Sequence, residues 1–274
     1  MERKEARERN AVKARQSAIL KRVYRDGRAM VVDLAEWLDA SRETVRRDLT
    51  SLAEQGLLRK IHGGAVRLQS AQEDTFGSRL ELNRDAKYRI GKRAAELFGE
   101  GDSLLIDSGS TTILFAEALA EKRGITIFTN SQHVAHAASK PPGGNSVFLL
   151  GGQYYHECGE TLGSITNDQI QMLSTDHAVL TVGAVDSGGR FMDFVADAAY
   201  TARAMMSRAR QVTVLVDSSK LDKTALVLVC QSHQVSRLVT DALPPSAVLT
   251  SLQAAGVEVI VADAPPPGKA APQD

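Results

Sequence analysis

Cysteine is scarce in this chain, and long apolar runs are absent from it. Its only two cysteines, Cys158 and Cys230, fit neither a disulfide framework nor a zinc site. No run of about 18 apolar residues occurs, so we expect no membrane span. The first residues, MERKEARERN, have no apolar segment behind their charges, which argues against a secretory signal. We therefore expect a cytoplasmic protein with no membrane partner.

The chain also lacks a net charge, but its first 70 residues differ from the rest. Residues 1–70 hold 16 basic and 10 acidic residues, and the remaining residues hold 17 and 23. A basic N-terminal part on an acidic body suggests a polyanionic partner for that part alone. A basic tail that aids solubility is the alternative.

Three short helices and a hairpin are predicted in this basic part. Apolar residues recur at helical spacing over residues 13–26, 31–39 and 45–53. A very tight turn at Asp39-Ala40 separates the second helix from the third, and Ser41 can cap the third. The residues LLRKIHGGAV then form two strand-like pieces around a turn. This order is typical of a winged helix-turn-helix, an α+β domain that binds double-stranded DNA.

In that fold, the helix after the tight turn lies in the major groove of DNA. The residues on or near its first two turns are expected to contact bases or phosphates: Ser41, Arg42, Glu43, Thr44, Arg46 and Arg47. The wing adds three residues near the phosphate backbone: Arg59, Lys60 and His62. Any helical hairpin with exposed arginines looks similar, but here the turn, the cap, the arginines and the basic hairpin agree in order and spacing.

From about residue 84 the pattern changes to apolar strands that alternate with helices. Strands are predicted at 103–107, 125–129, 147–150, 178–182, 212–216, 226–230 and 257–261, and helices at 112–122, 133–139, 197–209 and 245–254. This alternation predicts an α/β domain whose largely parallel sheet is covered on both faces. The predicted divisions are a DNA-binding domain (13–68), a polar linker (69–83), a ligand-sensing α/β domain (84–263) and a disordered tail (264–274).

A loop rich in hydroxyl side chains, D-S-G-S-T-T at residues 107–112, follows the first of these strands and opens a helix. The free N–H groups and the positive dipole end of a helix start suit a phosphate or another small anion. Gly109 is expected to let the backbone turn tightly. No lysine follows as it does in a triphosphate-binding loop. An ordinary Ser/Thr-rich helix cap is the alternative.

Four further polar loops follow strands of the same sheet. Because the carboxyl ends of parallel strands lie on one edge, these loops could line one pocket. The candidate effector-binding residues are Asp107, Ser108, Gly109, Ser110, Thr111, Thr112, Thr129, Asn130, Ser131, Gly151, Gly152, Gly183, Asp186 and Lys220. The lysine supplies positive charge for an anionic ligand. The six histidines are scattered, so we expect no metal site, and we expect no cofactor.

The motifs in both halves resemble those of the DeoR family of bacterial transcription regulators. The first half carries that family's DNA-binding signature, S-x-x-T-x-R-R-D-L followed by H-G-G-A. The second half is similar to its sensor domain, with I-D-S-G-S-T-T, T-N-S, L-G-G, E-T-L-G, V-D-S-S-K and L-V-T-D in the expected order. The resemblance covers about residues 13–263.

The resemblance implies a sensor domain that is related to sugar-phosphate isomerases, such as ribose-5-phosphate isomerase, and that binds a phosphorylated sugar or a related metabolite. It also implies a repressor of a carbohydrate catabolic operon that is released from operator DNA by its effector and forms a homodimer or homotetramer. An active sugar-phosphate isomerase with a DNA-binding appendage is the alternative. The sequence shows no clear acid–base pair for such an enzyme.

One helix departs from the family pattern. Family sensors usually carry an acidic helix of the form E-E-A-E-x-K, whereas residues 197–202 of this chain read D-A-A-Y-T-A. The change makes the pocket larger or less polar, or it marks a helix that faces a subunit interface. The identity of the effector therefore does not follow from better-known relatives.

Overall fold

The computed structural model of the chain describes residues 28–54, 58–61, 63–66 and 76–262, together with residues 12, 15–16, 18–20, 22–23 and 26. Backbone contacts divide the chain into two compact units, residues 1–70 and 71–274. His62, residues 69–75 of the expected linker, the expected tail and the side chain of Arg59 lie outside the described residues. No helix among the described residues is long and apolar enough to cross a membrane.

The first unit combines helices with a small antiparallel sheet. The described residues between 12 and 26 are helical. They are followed by strand β1 (Arg28–Met30), helices α1 (Val31–Trp37) and α2 (Arg42–Glu54), and strands β2 (Arg59–Ile61) and β3 (Gly64–Val66). Strand β3 lies between β1 and β2 and pairs antiparallel with both. The predicted winged helix-turn-helix is confirmed, with β1 as a strand that the sequence did not indicate.

A four-residue connection joins α1 to α2. Asp39 has a φ of +48°, in the left-handed region that aspartate enters more readily than most residues. The Ser41 hydroxyl accepts the N–H of Thr44 at 3.0 Å and so caps α2. The apolar stripe of α2 joins a core with residues of the other elements: Ile19, Val23, Leu34, Val45, Leu49, Leu52 and Leu58. The opposite, polar face of α2 is therefore left outside this core.

The second unit is built on a seven-stranded parallel sheet. In spatial order its strands are β15 (Glu258–Val261), β14 (Arg237–Thr240), β12 (Ala209–Leu215), β9 (Thr175–Leu180), β4 (Ser103–Ile106), β5 (Arg123–Thr129) and β6 (Gly144–Leu149). The chain runs from β4 outward to β6, and then returns to β9 on the other side of β4. Open α/β sheets bind ligands beside such a reversal of strand order.

Helices cover both faces because successive strand residues point to opposite sides. Leu104 and Ile106 point into one core, and Leu105 between them points into the other. The core that contains Leu104 and Ile106 is covered by α4 (Arg84–Ala95), α5 (Ser110–Leu119) and α6 (Gln132–Ala138). The second is covered by α7 (Ser164–Gln171), α8 (Ala196–Ser207) and α9 (Ser246–Ala254). The predicted α/β class is confirmed.

One predicted strand belongs to a different sheet. Strand β13 (Val227–Cys230) pairs with β11 (Phe191–Asp193), which also pairs with β10 (Ala184–Val185), in a small antiparallel sheet. Its expected place in the parallel sheet is taken by β14. The apolar sequence of β13 is explained by burial of Val229 and Cys230 in the core beneath α8.

The end of the expected linker is also structured. Helix α3 (Phe76–Glu81) lies inside residues 69–83. The Phe76 ring stacks on His133, with centroids 5.4 Å apart, and Asn83 Nδ2 donates to the Asp217 carboxylate at 3.0 Å. The polar composition suggested a linker because the helix has one buried apolar residue, Phe76. Residues 76–83 are part of the second unit.

Candidate DNA-binding surface and effector site

The side chains of Arg46 and Arg47 are 63% and 81% exposed on α2. Their guanidinium nitrogens lie 3.6 Å and 3.7 Å from carboxylate oxygens of Glu43. Exposed ion pairs of this kind contribute only about 0–1 kcal/mol. Both arginines can therefore exchange the contact with Glu43 for a phosphate or a base edge, and Arg42 beside them is exposed as well.

Other predicted contact residues also serve the fold of this unit. The hydroxyls of Ser41 and Thr44 are hydrogen-bonded to each other at 2.8 Å. Lys60 Nζ, on the wing strand β2, donates to the hydroxyl of Thr50 on α2 at 2.8 Å. The wing lysine is therefore held beside the helix that carries the arginines.

Asp48 is a buried residue that supports this surface and was not predicted from the sequence. It is 4% exposed, and its carboxylate accepts from Arg15 Nε at 2.5 Å and from Gln16 Nε2 at 3.2 Å. The hydrogen bond from Arg15 to Asp48 raises the pKa of that guanidinium above its ordinary value, although burial opposes the shift. Asp48 ties α2 to the first helical stretch and so helps to fix the position of the exposed arginines. The available signal was its place beside Leu49, on the buried side of the α2 pattern.

The five predicted loops emerge at one edge of the seven-stranded sheet. They follow β4, β5, β6, β9 and β12 at the carboxyl end of each strand, and all five strands run parallel. The loops after β4 and β9 flank the reversal of strand order. The structure therefore brings these five loops to one edge, as the strand pattern predicted, whereas Asp186 lies farther along the chain, in the turn between β10 and β11.

The loop after β4 leaves a helix start without a side-chain cap. Helix α5 begins at Ser110, and its N-cap residue, Gly109, has no side chain to accept a hydrogen bond. Asp107 is buried, and its carboxylate accepts the N–H of Ser108 at 2.8 Å. N–H groups in the first turn of a helix have no intrahelical partner, so this turn can donate to an anion.

Gly109 is not required for a tight turn, which corrects the expectation from sequence. Its φ of 172° is an extended conformation that any residue adopts. A Cβ at this position would lie 2.2 Å from Cγ2 of Thr181, in the loop after β9. Glycine is needed because the two loops approach each other closely.

Several predicted hydroxyls are used inside the fold. The Thr112 hydroxyl donates to the carbonyl oxygen of Asp107 at 2.8 Å. The Ser131 hydroxyl accepts the N–H of Val134 and caps α6, and the Thr129 hydroxyl accepts the N–H of Ser131 at 3.1 Å. These three side chains shape the loops, and their own hydroxyls already have partners.

Asp186 and the predicted glycines also have internal roles. The Asp186 carboxylate accepts from the N–H of Gly188 at 3.0 Å and from Arg190 Nε at 2.6 Å, within the turn between β10 and β11. The remaining glycines are tightly packed or tied to neighbouring elements: Gly151 through its backbone to Gln169 and Thr166, Gly152 against Thr166, and Gly183 against Phe194.

Asn130 differs from its neighbours in the loop after β5. It is fully buried, and its Nδ2 donates to the carbonyl oxygen of Thr161 at 3.0 Å. Its Oδ1 has no hydrogen-bond partner among the described residues. A buried polar atom without a partner is costly, so Asn130 is well suited to accept from a ligand hydroxyl.

A group of carboxylates at this edge was only partly anticipated. Burial raises the pKa of Asp107 well above its ordinary value, and the charges of Glu160 and Asp193 raise it further. Burial also raises the pKa of Glu160. The hydrogen bond from Ser108 and the charge of Arg79 act against this rise. Glu160, Asp193 and Arg79 were not predicted from the sequence, because they lie on short elements: β8 (Glu160–Leu162), β11 and α3.

Basic side chains lie around the loop after β12. Lys220 Nζ donates to the carbonyl oxygen of Val182 at 2.7 Å, and the 2% exposed Lys87 donates to that of Arg79 at 2.6 Å. Burial alone would raise the pKa of Asp217. The charge of Lys220, the hydrogen bonds from Ser219 and Asn83 and the charge of Lys87 outweigh burial and hold this pKa below its ordinary value. This end of the edge can therefore balance negative charge.

Asp107→Asn is expected to stabilise the protein at neutral pH, by about 2–4 °C in Tm for each kcal/mol gained. Because the folded pKa is raised, the wild type loses stability as pH rises from the unfolded pKa of about 3.9 through the folded value. Asparagine cannot ionise, and its amide oxygen can still accept the N–H of Ser108. Calorimetry across pH should show a Tm difference that disappears below about pH 4. A difference independent of pH would contradict this account.

Comparison with known proteins agrees with this architecture. Residues 82–242 match the DeoR C terminal sensor domain, and residues 15–71 match the DeoR-like helix-turn-helix domain. The HTH-type transcriptional repressor CsqR of Escherichia coli is 32% identical over 90% of this chain and 94% of its own length. The glycerol-3-phosphate regulon repressor of Escherichia coli is 32% identical over 87% of this chain and 94% of its own length.

Among solved structures, ribose 5-phosphate isomerase A from Methanocaldococcus jannaschii is similar, with a TM-score of 0.37 and 18% identity over 51% of this chain and 55% of that one. A likeness at this level carries no argument about activity.

A winged helix-turn-helix followed by an α/β domain with polar loops at one sheet edge defines a ligand-responsive DNA-binding regulator. The chain belongs to the DeoR family of transcription regulators. The CsqR repressor and the glycerol-3-phosphate regulon repressor, which match 90% and 87% of this chain, are both named as repressors, which disfavours the alternative of an active isomerase.

Proposed function

We propose that the chain represses a carbohydrate catabolic operon and leaves its operator when a phosphorylated sugar or a related metabolite binds at the carboxyl edge of the parallel sheet. The observation that carries the effector proposal is the loop after β4. It places Ser108, Ser110 and Thr111 at a helix start without a side-chain cap, beside the reversal of strand order. One relative is named for a glycerol-3-phosphate regulon, which also supports a phosphorylated effector.

The DNA contacts are proposed for the polar face of α2 and for the wing. Arg42, Arg46 and Arg47 are the main contacts in this proposal, because they are exposed. The other proposed residues are Ser41, Glu43, Thr44, Arg59, Lys60 and His62. The excess of basic residues in the first 70 supports contact with phosphates. We place the DNA-binding domain at residues 13–68 and move the start of the sensor domain to residue 76, where α3 begins.

A second copy of the chain is part of the proposal. Helix-turn-helix regulators commonly read paired half-sites with paired domains, so we propose a homodimer or homotetramer. The protein would act in the cytoplasm, where bacterial operators lie. The stoichiometry of protein to duplex at saturation tests the assembly.

We propose that five side chains at this edge contact the effector: Ser108, Ser110, Thr111, Asn130 and Lys220. Lys220 and Asn130 are included because the ammonium has further donors and Asn130 Oδ1 has no partner among the described residues. The other predicted residues are assigned to shaping the loops: Gly109, Thr112, Thr129, Ser131, Gly151, Gly152, Gly183 and Asp186. Asp107 is assigned to the hydroxyls of the ligand, since carboxyl groups accept hydrogen bonds from hydroxyls.

The double variant Ser110→Ala/Thr111→Ala tests the effector proposal. A thermal-shift screen of the full chain, with sugar phosphates and their unphosphorylated sugars, first identifies a ligand through its stabilisation of the folded state. The double variant should then bind operator as the wild type does, but its release should need at least about tenfold more ligand, since each lost charge-assisted hydrogen bond weakens binding by about 1.5–3 kcal/mol. Fluorescence anisotropy of a labelled operator measures both quantities.

The matched control is Thr126→Ala/Ser146→Ala. This pair removes the same two hydroxyl types from neighbouring positions on β5 and β6, before the carboxyl edge is reached. Normal release of the Ser110→Ala/Thr111→Ala protein would mean that the loop after β4 is only a helix cap.

A further inference from the structure

Glu160 is fixed beside the loops of the candidate site by its backbone. It begins β8, which forms a hairpin with β7 (Gln153–Tyr155), and it makes an isolated bridge to Ser131 after β5. The next residue, Thr161, donates its N–H to the carbonyl oxygen of Asn130 at 2.8 Å. The backbone of Glu160 is therefore held against the loop after β5.

The groups around the Glu160 carboxylate are those that an external anion would seek. Three groups lie close enough to lower the pKa of the Glu160 carboxyl: the Ser108 hydroxyl and the Cys158 thiol through hydrogen bonding, and the Arg79 guanidinium through its charge. Arg79 Nη2 also donates to Cys158 Sγ at 3.9 Å, which holds the guanidinium at this place. A hydroxyl donor next to a guanidinium is the usual environment of a bound phosphate.

An anion at the loop after β4 would meet negative charge from three elements. Asp107 follows β4, Glu160 begins β8 and Asp193 ends β11, and the charge of Arg79 on α3 opposes them. Asp107 accepts a backbone N–H of its own loop, whereas Glu160 reaches the Ser108 hydroxyl from another element. Like charges this close cannot all be ionised cheaply. Glu160 is the carboxylate that competes for a ligand-binding group.

We propose that Glu160 occupies the anion site of the ligand-free protein, and that the phosphate of the effector takes over Ser108 and Arg79 from it. The inference rests on the proposed function, because it concerns the same loop. Arg79 is then an effector-recognition residue. Its exchange of partners acts on α3, the first described element after residues 67–75, which connect it to the DNA-binding domain in sequence.

The test measures binding of inorganic phosphate and of sulfate to the full chain by isothermal titration calorimetry. Glu160→Gln should bind both anions about tenfold more tightly near pH 7.5, the ratio that corresponds to a pKa shift of one unit. Glutamine keeps the size of the side chain and an oxygen that accepts from Ser108, so the variant should fold. Arg79→Gln should weaken binding by a similar factor.

Two exposed residues supply matched controls. Glu157→Gln removes the same charge three residues away, and Arg84→Gln removes a guanidinium from the start of α4. Neither should change anion affinity by more than about twofold, since exposed charges are screened by salt. Melting temperatures of all variants separate local effects from unfolding.

Sulfate adds a pH readout that a structural role would not produce. It stays a dianion between about pH 5 and pH 8, so any pH dependence comes from the protein. The wild type should bind sulfate more tightly as pH falls and Glu160 takes a proton, because the pKa of Glu160 is raised by burial. Glu160→Gln should show a smaller dependence, which is left by Asp107, whose pKa is also raised by burial.

The outcomes separate this inference from the function on which it rests. If Ser110→Ala/Thr111→Ala abolishes phosphate binding while Glu160→Gln leaves it unchanged, the anion loop stands and the role of Glu160 is overturned. If Arg79→Gln binds phosphate and sulfate as tightly as the wild type does, Arg79 does not pass from Glu160 to the anion, and that part of the inference is overturned. If neither the wild type nor Glu160→Gln binds either anion, the anion loop itself fails, and this inference fails with it.

Discussion

Replacing Arg46 or Arg47 by alanine should weaken operator binding by about 5- to 150-fold, the equivalent of about 1–3 kcal/mol for a lost base contact. Both guanidinium groups are exposed, and their only described ion pairs are with Glu43 on the same helix. Losing such pairs costs little stability. The core stripe of α2 is not touched, so the variants should keep the fold and the response of the sensor domain.

The measurement is fluorescence anisotropy of a labelled operator and a scrambled duplex at several salt concentrations. A lost phosphate contact should lower the slope of log K against log salt by about 0.9, whereas a lost base contact should reduce the preference for operator over scrambled DNA. Arg93→Ala is the matched control, because the Arg93 side chain, near the end of α4, is 43% exposed and pairs with Glu96, three residues away at the C-cap of the helix. Unchanged operator affinity in both α2 variants would contradict a DNA-binding role for this face.

Replacing Gly109 by alanine should abolish release by the effector while operator binding persists. The new Cβ would lie 2.2 Å from Cγ2 of Thr181, a distance that forces the loop after β4 away from the loop after β9. Overpacking of this kind costs typically about 1–3 kcal/mol of stability. The shift would also displace Ser110 and Thr111, on which the proposed anion site depends.

A second change should reverse the effect, because Thr181→Ser removes the methyl group that the new Cβ would strike. The next contacts of that Cβ are Thr181 Cβ at 3.3 Å and Thr112 Oγ1 at 3.4 Å, which small movements can accommodate. Denaturant unfolding and effector titration of both single variants and the double variant give the coupling energy. Gly99→Ala is the control, since a Cβ there meets nothing within 4 Å. A Gly109→Ala protein with normal stability and release would show that the close approach is unimportant.

Most of the parallel sheet could be predicted because its strands are short apolar runs between polar loops. The periodicity of such a run says that it is buried, but not in which sheet it lies. For this reason β13 was placed in the wrong sheet, and the shorter run of β14 went unrecognised. Helix α4 was missed for a different reason. Gly91 interrupts its pattern, and only the structure shows that a Cβ there would lie 2.7 Å from the backbone nitrogen of Phe115.

The candidate site was predictable as far as sheet topology determines it. Loops that follow parallel strands must share an edge, so Ser108 and Asn130 could be assigned to one region from sequence. Glu160, Asp193 and Arg79 could not, because elements of three to six residues are too short to show a period. Sequence also could not tell which hydroxyls, such as that of Thr112, are already used by the backbone.

The position of α3 has a consequence for engineering. Phe76 stacks on His133, Arg79 contacts Cys158, and Asn83 is hydrogen-bonded to the loop after β12, so the chain enters the sensor domain along the rim of the proposed ligand site. A fluorescent protein fused directly ahead of residue 76 would therefore be joined to the elements whose contacts we propose that a ligand alters. The domain offers a natural attachment point for a genetically encoded metabolite biosensor, with no need to search for an insertion site elsewhere in the fold.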